Sequence, residues 1–213
     1  MQVHLTTDEL LSTTRTVRRR LDLTRPVERE VLEECLALAV QAPTASNRQE
    51  WQWVFVTDAA TRRALAELYV RPDPSYRSLP TREYAPEDVR ARSRAAVAAS
   101  ADFLRQHLAE VPVLLVPCHW GRVDDAPVAT QAALWGSLYP AVWSLFLALR
   151  TRGLGAAWTS VSLRHERDVA ELLGIPYDEY TQGGLFPIAY TVGTEFRPAA
   201  RRPVAEVVHW DRW

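Results

Sequence analysis

The chain has 213 residues, of which 47% are hydrophobic and 24% are charged, and its formal net charge is −1. This length and composition are typical of a globular domain with a sizeable core, so we expect one domain over residues 1–213. A charge so close to zero gives no reason to expect nucleic acid or an anionic membrane surface as a partner.

The ends and the cysteines predict a cytoplasmic protein. Residues 1–5 contain no basic region followed by an apolar run, so no secretory signal is expected. Cys35 and Cys118 lie far apart in apolar stretches. This favours buried free thiols in a reducing compartment over a disulfide or a metal site.

Two helices separated by a basic segment are predicted near the N-terminus. Thr6 and Glu9 have the spacing of a capping box, which predicts a helix running towards Val17. Pro26 is expected to open the second helix, whose apolar stripe up to Val40 would face the core. The segment between them contains Arg15, Arg18, Arg19, Arg20 and Arg25. Such a run is typical of a solvated surface, but arginines and threonine hydroxyls at one bend also suit a phosphate.

Residues 42–51 are predicted to form a corner between the second helix and a strand. Pro43 lacks an N–H and therefore stops the helix. Short polar side chains follow at a place where backbone groups are also free: Thr44, Ser46, Asn47 and Gln49. Such a corner is suited to hold a polar heterocycle, and an ordinary connecting loop is an equally good interpretation.

The middle of the chain predicts two strands and two helices. Residues 51–57 are aromatic and β-branched, as in a strand, and Asp58 is expected to cap a helix over residues 59–69. A helix is expected over residues 87–107, and the apolar run 111–118 predicts a strand covered on both faces. The proline-rich residues 71–86 are a candidate substrate lid.

Residues 129–152 predict the most hydrophobic helix. It is apolar on nearly every face, which indicates burial at the centre or in a subunit interface, and its apolar run is too short to span a bilayer. Strands over 156–161 and 185–192, a short helix over 166–173 and an aperiodic tail over 195–213 complete the chain. Because helices and strands are intermixed without strict alternation, an α+β layered domain fits better than a doubly wound one.

Several catalytic signatures are missing from the sequence. It has no G-x-G-x-x-G after a strand, no Walker loop and no H-E-x-x-H, and its five histidines lack metal-ligand spacing. Ser160 and Ser162 lack the G-x-S-x-G frame of a serine hydrolase. We therefore assign no catalytic side chain and no metal site, and we expect the chemistry to come from an organic cofactor.

Five segments in this order resemble the FMN-dependent nitroreductase family. They are Arg15-Thr16-Val17-Arg18, Arg25-Pro26-Val27, the corner at residues 42–51, Gly153-Leu154-Gly155-Ala156-Ala157-Trp158, and Arg201-Arg202-Pro203-Val204 before His209-Trp210. The resemblance implies a three-layer α+β fold, with a central, mostly antiparallel sheet flanked by helices. It also implies an intertwined homodimer with two FMN sites at the subunit interface, and a tail, 195–213, that docks on the partner.

The resemblance also implies which residues bind the cofactor. Those expected at the FMN phosphate are Arg15, Thr16, Arg18 and Arg201, with Thr16 where the family more often has serine. Those expected to contact the flavin of the other subunit are Pro43, Thr44, Ala45, Asn47 and Gln49. Those expected beside the flavin ring are Ser160, Val161 and Ser162, where a backbone N–H meets flavin N5 in many relatives.

The activity implied by the resemblance is that of an FMN-dependent oxidoreductase. NADH or NADPH would transfer hydride to flavin N5, and the reduced flavin would reduce a small organic acceptor such as a nitroaromatic, a quinone or an enone. Two substrates using one open face in turn predict ping-pong kinetics. Residues 71–86 and 120–125 are the expected walls of the acceptor pocket. Two alternatives stay open: a flavin-dependent dehydrogenase or oxidase of a biosynthetic pathway, and a flavin-binding dimer without turnover.

Overall fold

The computed structural model describes residues 2–75 and 82–213. The helices in this part of the chain are α1 (Thr7–Thr13), α2 (Arg29–Ala39), α3 (Ala59–Val70), α4 (Val89–His107), α5 (Val128–Thr151) and α6 (Glu166–Leu173). The strands are β1 (Trp51–Val56), β2 (Val113–Trp120), β3 (Leu154–Ala156), β4 (Tyr180–Gln182) and β5 (Phe186–Tyr190). Short 3₁₀ helices occupy Ala45–Asn47, Leu108–Glu110, Val161–His165 and Val204–Glu206.

The strands form one sheet in the order β1-β2-β5-β3, and β4 pairs with the end of β2. All these pairings are antiparallel, with Val56 opposite Leu114 and Val113 opposite Ile188. Residues of α2 and α5 pack on one face of the sheet, and residues of α3, α4 and α6 pack on the other. The structure thus confirms the expected α+β fold, a three-layer arrangement of an antiparallel sheet between helices.

Strand β2 lies at the centre of both cores. Leu115 packs with the α2 and α5 layer, whereas Leu114 and Val116 pack with the opposite layer, and all three are completely buried. Burial on both faces explains why this strand is a continuous apolar run in the sequence. The strand extends two residues beyond the predicted end at Cys118, because His119 pairs with Trp51 on one side and Thr181 on the other.

Helix α5 is as apolar as the sequence predicts, but its burial is uneven. Leu138, Val142 and Leu145 are fully buried, whereas Val128 at its start is 82% exposed. By length and composition alone, α5 is long and apolar enough to cross a membrane, and no other helix among the described residues is. The prediction that its apolar run is too short to span a bilayer therefore does not hold for the whole helix. Half of its most apolar 18-residue stretch is buried inside the fold. Core helices of soluble proteins have the same length and composition, so these two properties are weak evidence for a membrane span.

Two predicted boundaries near the N-terminus are wrong. The first helix has its capping box at Thr6 and Glu9 but ends at Thr13, and Val17 instead donates its N–H to the Ala156 carbonyl at 2.9 Å. The second helix begins at Arg29 rather than at Pro26. The backbone of residue 28 is extended, so the helix starts three residues later than predicted.

The predicted strand over residues 156–161 is also misplaced. The strand is β3, Leu154–Ala156, and the chain leaves the sheet after Ala157. Thr159 then pairs with the turn at Leu185, donating through its hydroxyl at 2.9 Å and accepting the Leu185 N–H at 3.1 Å. The segment that follows is therefore free to form the 3₁₀ helix Val161–His165.

Candidate functional site

The basic segment after α1 lines an open cavity of about 380 Å³. Five of the lining residues are arginines, namely Arg15, Arg18, Arg19, Arg20 and Arg197, whereas Glu195 is the single acidic residue among those that line it. This concentration of guanidinium groups is the chemistry expected of an anion site.

The arginines of this cavity are held by uncharged acceptors. Arg18 donates to the Ser100 hydroxyl at 3.2 Å, and Arg15 donates to the Arg197 carbonyl at 3.3 Å. Arg20 donates to the carbonyls of Val192 and Glu195 at 2.9 and 2.7 Å. Burial lowers the pKa of Arg18 from its usual value. Because these contacts orient the guanidinium groups without neutralising them, their charge remains available to a ligand.

The segment that begins at Trp158 is hydrogen-bonded to the basic segment. The Thr16 hydroxyl accepts a hydrogen bond from the Trp158 N–H at 3.3 Å. Gly155 allows this approach, because a Cβ there would lie 2.7 Å from the Thr191 side chain and 3.0 Å from that of Val17. The structure thus brings together Arg15, Thr16 and Arg18 with the chain leading to residues 160–162.

Residues 160–162 differ in their exposure to solvent. Ser160 is exposed, Val161 is half-buried, and Ser162 is only 2% exposed. The Ser162 hydroxyl oxygen has no hydrogen-bond partner among the described residues. A buried hydroxyl without a partner is uncommon and calls for a ligand or a bound water.

The predicted corner is exposed on the single chain, and its backbone is unusual. Ser46, Asn47 and Gln49 have φ values of 52°, 54° and 53°, in the left-handed region that side-chain-bearing residues seldom adopt. The Gln49 N–H donates to the Thr44 hydroxyl at 3.3 Å, and its side-chain amide donates to that of Asn47 at 2.9 Å. Strained residues of this kind cluster at ligand clamps. Pro43 and Ala45 are also exposed.

The corner opens onto a second cavity, of about 150 Å³, between β2 and the start of α5. Its walls include Ala45, Arg48, His119, Trp120 and Ser137. The Ala45 N–H donates to the Ser137 hydroxyl at 3.0 Å, which fastens the corner to α5. Trp120 is 47% exposed, and Arg48 lies 5.6 Å from the centre of its ring.

His119 is a buried member of this second cavity that the sequence did not single out. It is 7% exposed, and its Nδ1 lies 2.7 Å from the Trp120 carbonyl. A carbonyl can only accept, so Nδ1 carries the hydrogen of this contact and Nε2 is the ring nitrogen not engaged by it. Residues 120–123, predicted to shape the acceptor pocket, line the same cavity.

Arg201 lies apart from both cavities. It lines a third one, with Arg90, Ser93 and Arg202, and its guanidinium donates to the Ala200 carbonyl at 3.2 Å. Within one chain the structure therefore separates Arg201 from Arg15 and Arg18. The tail arginine that does reach the basic segment is Arg197, which sequence reasoning missed.

The candidate lid is only partly described. Arg71 at its start pairs with Asp168 and lies 2.8 Å from His165 Nδ1, so the loop begins anchored to α6. Residues 76–81 of the predicted lid lie outside the described residues. Over the described ranges no three His, Cys, Asp or Glu residues are grouped closely enough to hold a metal ion.

Three comparisons place this architecture among known proteins. The model of the nitroreductase family matches residues 11–190. A stretch of 140 residues is 31% identical to the 5,6-dimethylbenzimidazole synthase of Rhodospirillum rubrum. That alignment covers 64% of this chain and 61% of the synthase, which is less than two thirds of its length.

Solved structures share the fold. The FMN and NADPH-dependent nitroreductase of Sphigopyxis sp. strain HMH superposes with a TM-score of 0.73 at 24% identity, covering 98% of this chain and 100% of that one. Iodotyrosine deiodinase bound to FMN and 3-iodo-L-tyrosine gives a TM-score of 0.64 at 23% identity, covering 97% and 98%. The antiparallel sheet and the family model agree, and this chain belongs to the nitroreductase family.

Proposed function

We propose that this protein is an FMN-dependent NAD(P)H oxidoreductase that acts as a homodimer. The observation that carries the proposal is the basic cavity, whose described lining contains five arginines and one acidic residue. A dianionic phosphate ester is the kind of ligand that such a cavity fits, because arginine forks match phosphate oxygens.

The residues present fit FMN at both of its ends. Arg15, Arg18 and Arg197 would hold the phosphate, and the segment from Trp158 to Ser162 would lie along the flavin. The buried Ser162 hydroxyl, which lacks a partner among the described residues, would gain one from the bound cofactor. Bound FMN would supply the hydride chemistry that links NADH or NADPH to an acceptor.

The corner is the reason for proposing a dimer. It is exposed and strained, and it lines a different cavity from the arginines. A second copy of the chain would bring Pro43, Thr44 and Ala45 of one subunit towards the arginine cavity of the other. Val128, Trp210 and Trp213, which are 82%, 84% and 100% exposed, are apolar surface that an interface would cover.

The second cavity is our candidate for the acceptor site. Its volume of about 150 Å³ is close to that of a cavity that holds one aromatic ring. Trp120 offers a flat face, and Arg48 and His119 Nε2 offer polar contacts at the edge. These properties favour a small planar acceptor such as a nitroaromatic, a quinone or an enone, reduced in a ping-pong cycle.

An absorption spectrum tests the proposal. The purified protein is expected to be yellow and to lose its visible absorbance on anaerobic addition of NADH or NADPH, regaining it when an acceptor is added. The buried free thiols Cys35 and Cys118 fit the cytoplasmic location that we also propose. A colourless protein that takes up no added FMN would rule the function out.

The similarity to 5,6-dimethylbenzimidazole synthase supports a second candidate, a flavin-dependent oxidase of a biosynthetic pathway. This candidate predicts bound flavin and oxygen consumption after chemical reduction, without steady-state oxidation of NADH or NADPH. Rapid turnover of either nicotinamide with a quinone or a nitroaromatic would exclude it.

A further inference from the structure

Arg150, in the last turn of α5, is a buried cation without adequate compensation. It is 5% exposed, and its Nε and Nη1 atoms have no hydrogen-bond partner within the described ranges 2–75 and 82–213. A guanidinium cannot shed its proton at physiological pH, so burial leaves it charged. The partial negative charge at the end of a helix favours a cation there, but it does not satisfy these two donors.

Aromatic and cationic groups lie beside Arg150. Its guanidinium lies 4.8 Å from the centre of the Phe196 ring, and that of Arg20 lies 4.1 Å from the same ring centre. Burial and the charge of Arg20 both lower the pKa of Arg150. Among the described residues that line the crevice of Arg150, none is acidic.

This crevice adjoins the basic cavity. Arg15, Val17 and Phe196 line both, and the crevice itself has a volume of about 10 Å³, enough for roughly one water molecule. Arg150 therefore lines a crevice that shares three wall residues with the basic cavity. An anion seated in the basic cavity would lie next to the crevice that holds the unpaired donors of Arg150.

We propose that Arg150 is an interior anion-binding residue, which holds the phosphate of the flavin from below, directly or through one water. The inference rests on the proposed function for its ligand. In the flavin-free protein the buried charge of Arg150 is uncompensated, and the bound phosphate would compensate it. Arg150 should therefore weaken the flavin-free protein and strengthen the complex, two effects that a packing residue does not combine.

The test compares Arg150→Met with Arg150→Lys in the full chain. Methionine keeps a long unbranched side chain and loses the charge, whereas lysine keeps the charge and loses the planar guanidinium that can bind two oxygens at once. Arg152→Met is the matched control, because Arg152 is two residues further along, and its side chain donates to Thr151 outside this crevice. Melting temperature without flavin is measured first, followed by affinities for FMN, riboflavin and inorganic phosphate.

The expected result has opposite signs for the two states. Without flavin, Arg150→Met melts at or above the wild-type temperature. It binds FMN about tenfold more weakly, which is about 1.4 kcal/mol, while its affinity for riboflavin, which lacks the phosphate, is unchanged. The melting shift given by inorganic phosphate is also lost. Arg150→Lys lies between these values, and Arg152→Met matches the wild type.

Two results would overturn the inference. One is equal loss of FMN and riboflavin affinity, and the other is a lower melting temperature without flavin and unchanged FMN binding, since either means that Arg150 serves packing. If the wild type binds FMN and Arg150→Met binds it equally well, this inference alone fails. If the wild type binds neither FMN nor phosphate, both the inference and the proposed function fail. If it binds phosphate but not FMN, the proposed function fails and the anion site is retained.

Discussion

Thr16 and Trp158 are joined by a hydrogen bond of 3.3 Å, from the backbone N–H of Trp158 to the hydroxyl of Thr16. The two residues are 142 positions apart in the sequence, and each begins a different part of the candidate site. One leads to the arginines of the basic cavity, the other to the buried Ser162. The bond therefore holds together the two segments that we propose to bind opposite ends of the ligand.

The Thr16–Trp158 bond is tested by substituting Thr16 with valine and with serine. Thr16→Val keeps the shape but leaves the half-buried Trp158 N–H without its acceptor, at a cost of about 1–3 kcal/mol. We expect weaker FMN binding for Thr16→Val and wild-type binding for Thr16→Ser, measured by flavin fluorescence titration. Equal behaviour of the two variants would show that the hydroxyl plays no part.

The arginines of the basic cavity are predicted to differ in their importance. Arg15→Ala removes a charge-assisted contact and should weaken FMN binding by about 2 kcal/mol, or roughly 30-fold. Arg201→Ala should have a smaller effect, because Arg201 lines a different cavity in the single chain. Calorimetric titration of both variants with FMN checks this order. A loss for Arg201→Ala as large as that for Arg15→Ala would mean that the tail reaches the site in the dimer.

Ser137 is predicted to stabilise the corner. Its hydroxyl accepts the Ala45 N–H at 3.0 Å and donates to the Ala133 carbonyl at 2.7 Å. Ser137→Ala should lower the free energy of unfolding by about 1 kcal/mol, measured by urea denaturation. Ser144→Ala on the same helix is the control, since the Ser144 hydroxyl bonds to none of the described residues. Similar values for both variants would contradict the assignment.

Local signals in the sequence predicted the ends of several elements correctly. Thr6 with Glu9, Asp58 and Gly174 define the starts of α1 and α3 and the end of α6, because each acts through its own neighbouring backbone. The start of α2 was mispredicted for a tertiary reason. Glu28 accepts a hydrogen bond from the Tyr190 hydroxyl at 2.6 Å, which favours an extended residue 28 over another helical turn.

Only some residues of the candidate site could be predicted from the sequence. Arg15, Thr16 and Arg18 are adjacent, so a short motif suffices to find them. Arg150 and Arg197 reach the same region from a helix end and from the tail, and no local spacing links them. The sequence does not single out His119, because its position at the end of a central strand depends on pairing with β1 and β4.

The ion pair of Arg122 and Glu166 is predicted to stabilise the wall of the second cavity. Two hydrogen bonds of 2.9 Å join the side chains, which are 18% and 15% exposed. Burial alone lowers the pKa of Arg122, but the hydrogen bonds and charges of Glu166 and Asp124 together outweigh it and raise the pKa. Glu166→Gln leaves a largely buried cation with Asp124, an exposed carboxylate, as its remaining charged partner, so we expect a loss of about 3 kcal/mol in unfolding free energy.

Asp124→Asn is the control for this ion pair. Asp124 bonds the same guanidinium at 2.8 Å, but its side chain is 60% exposed. Removing an exposed partner should cost less than about 1 kcal/mol. Equal losses for the two variants, measured by urea denaturation, would show that burial does not set the strength of these contacts.

The two thiols are predicted to be unreactive and to make stability depend on pH. Burial raises the pKa of Cys35 to about 11 and that of Cys118 to about 12, from 9.0. Folded protein at pH 8 should therefore resist iodoacetamide at both positions. Above pH 9 the unfolded chain loses thiol protons that the folded chain keeps, so stability falls as pH rises, by up to about 1.4 kcal/mol per unit for each thiol.

The double variant Cys35→Ala/Cys118→Ala isolates this pH effect. Urea denaturation at pH 8 and pH 10 should give a smaller drop for the double variant than for the wild type. Tyr139 and Tyr190, whose pKa values burial also raises, are common to both proteins and cancel in the difference. An identical drop in the two proteins, or stoichiometric alkylation of the folded wild type, would show that the thiols are not protected by burial.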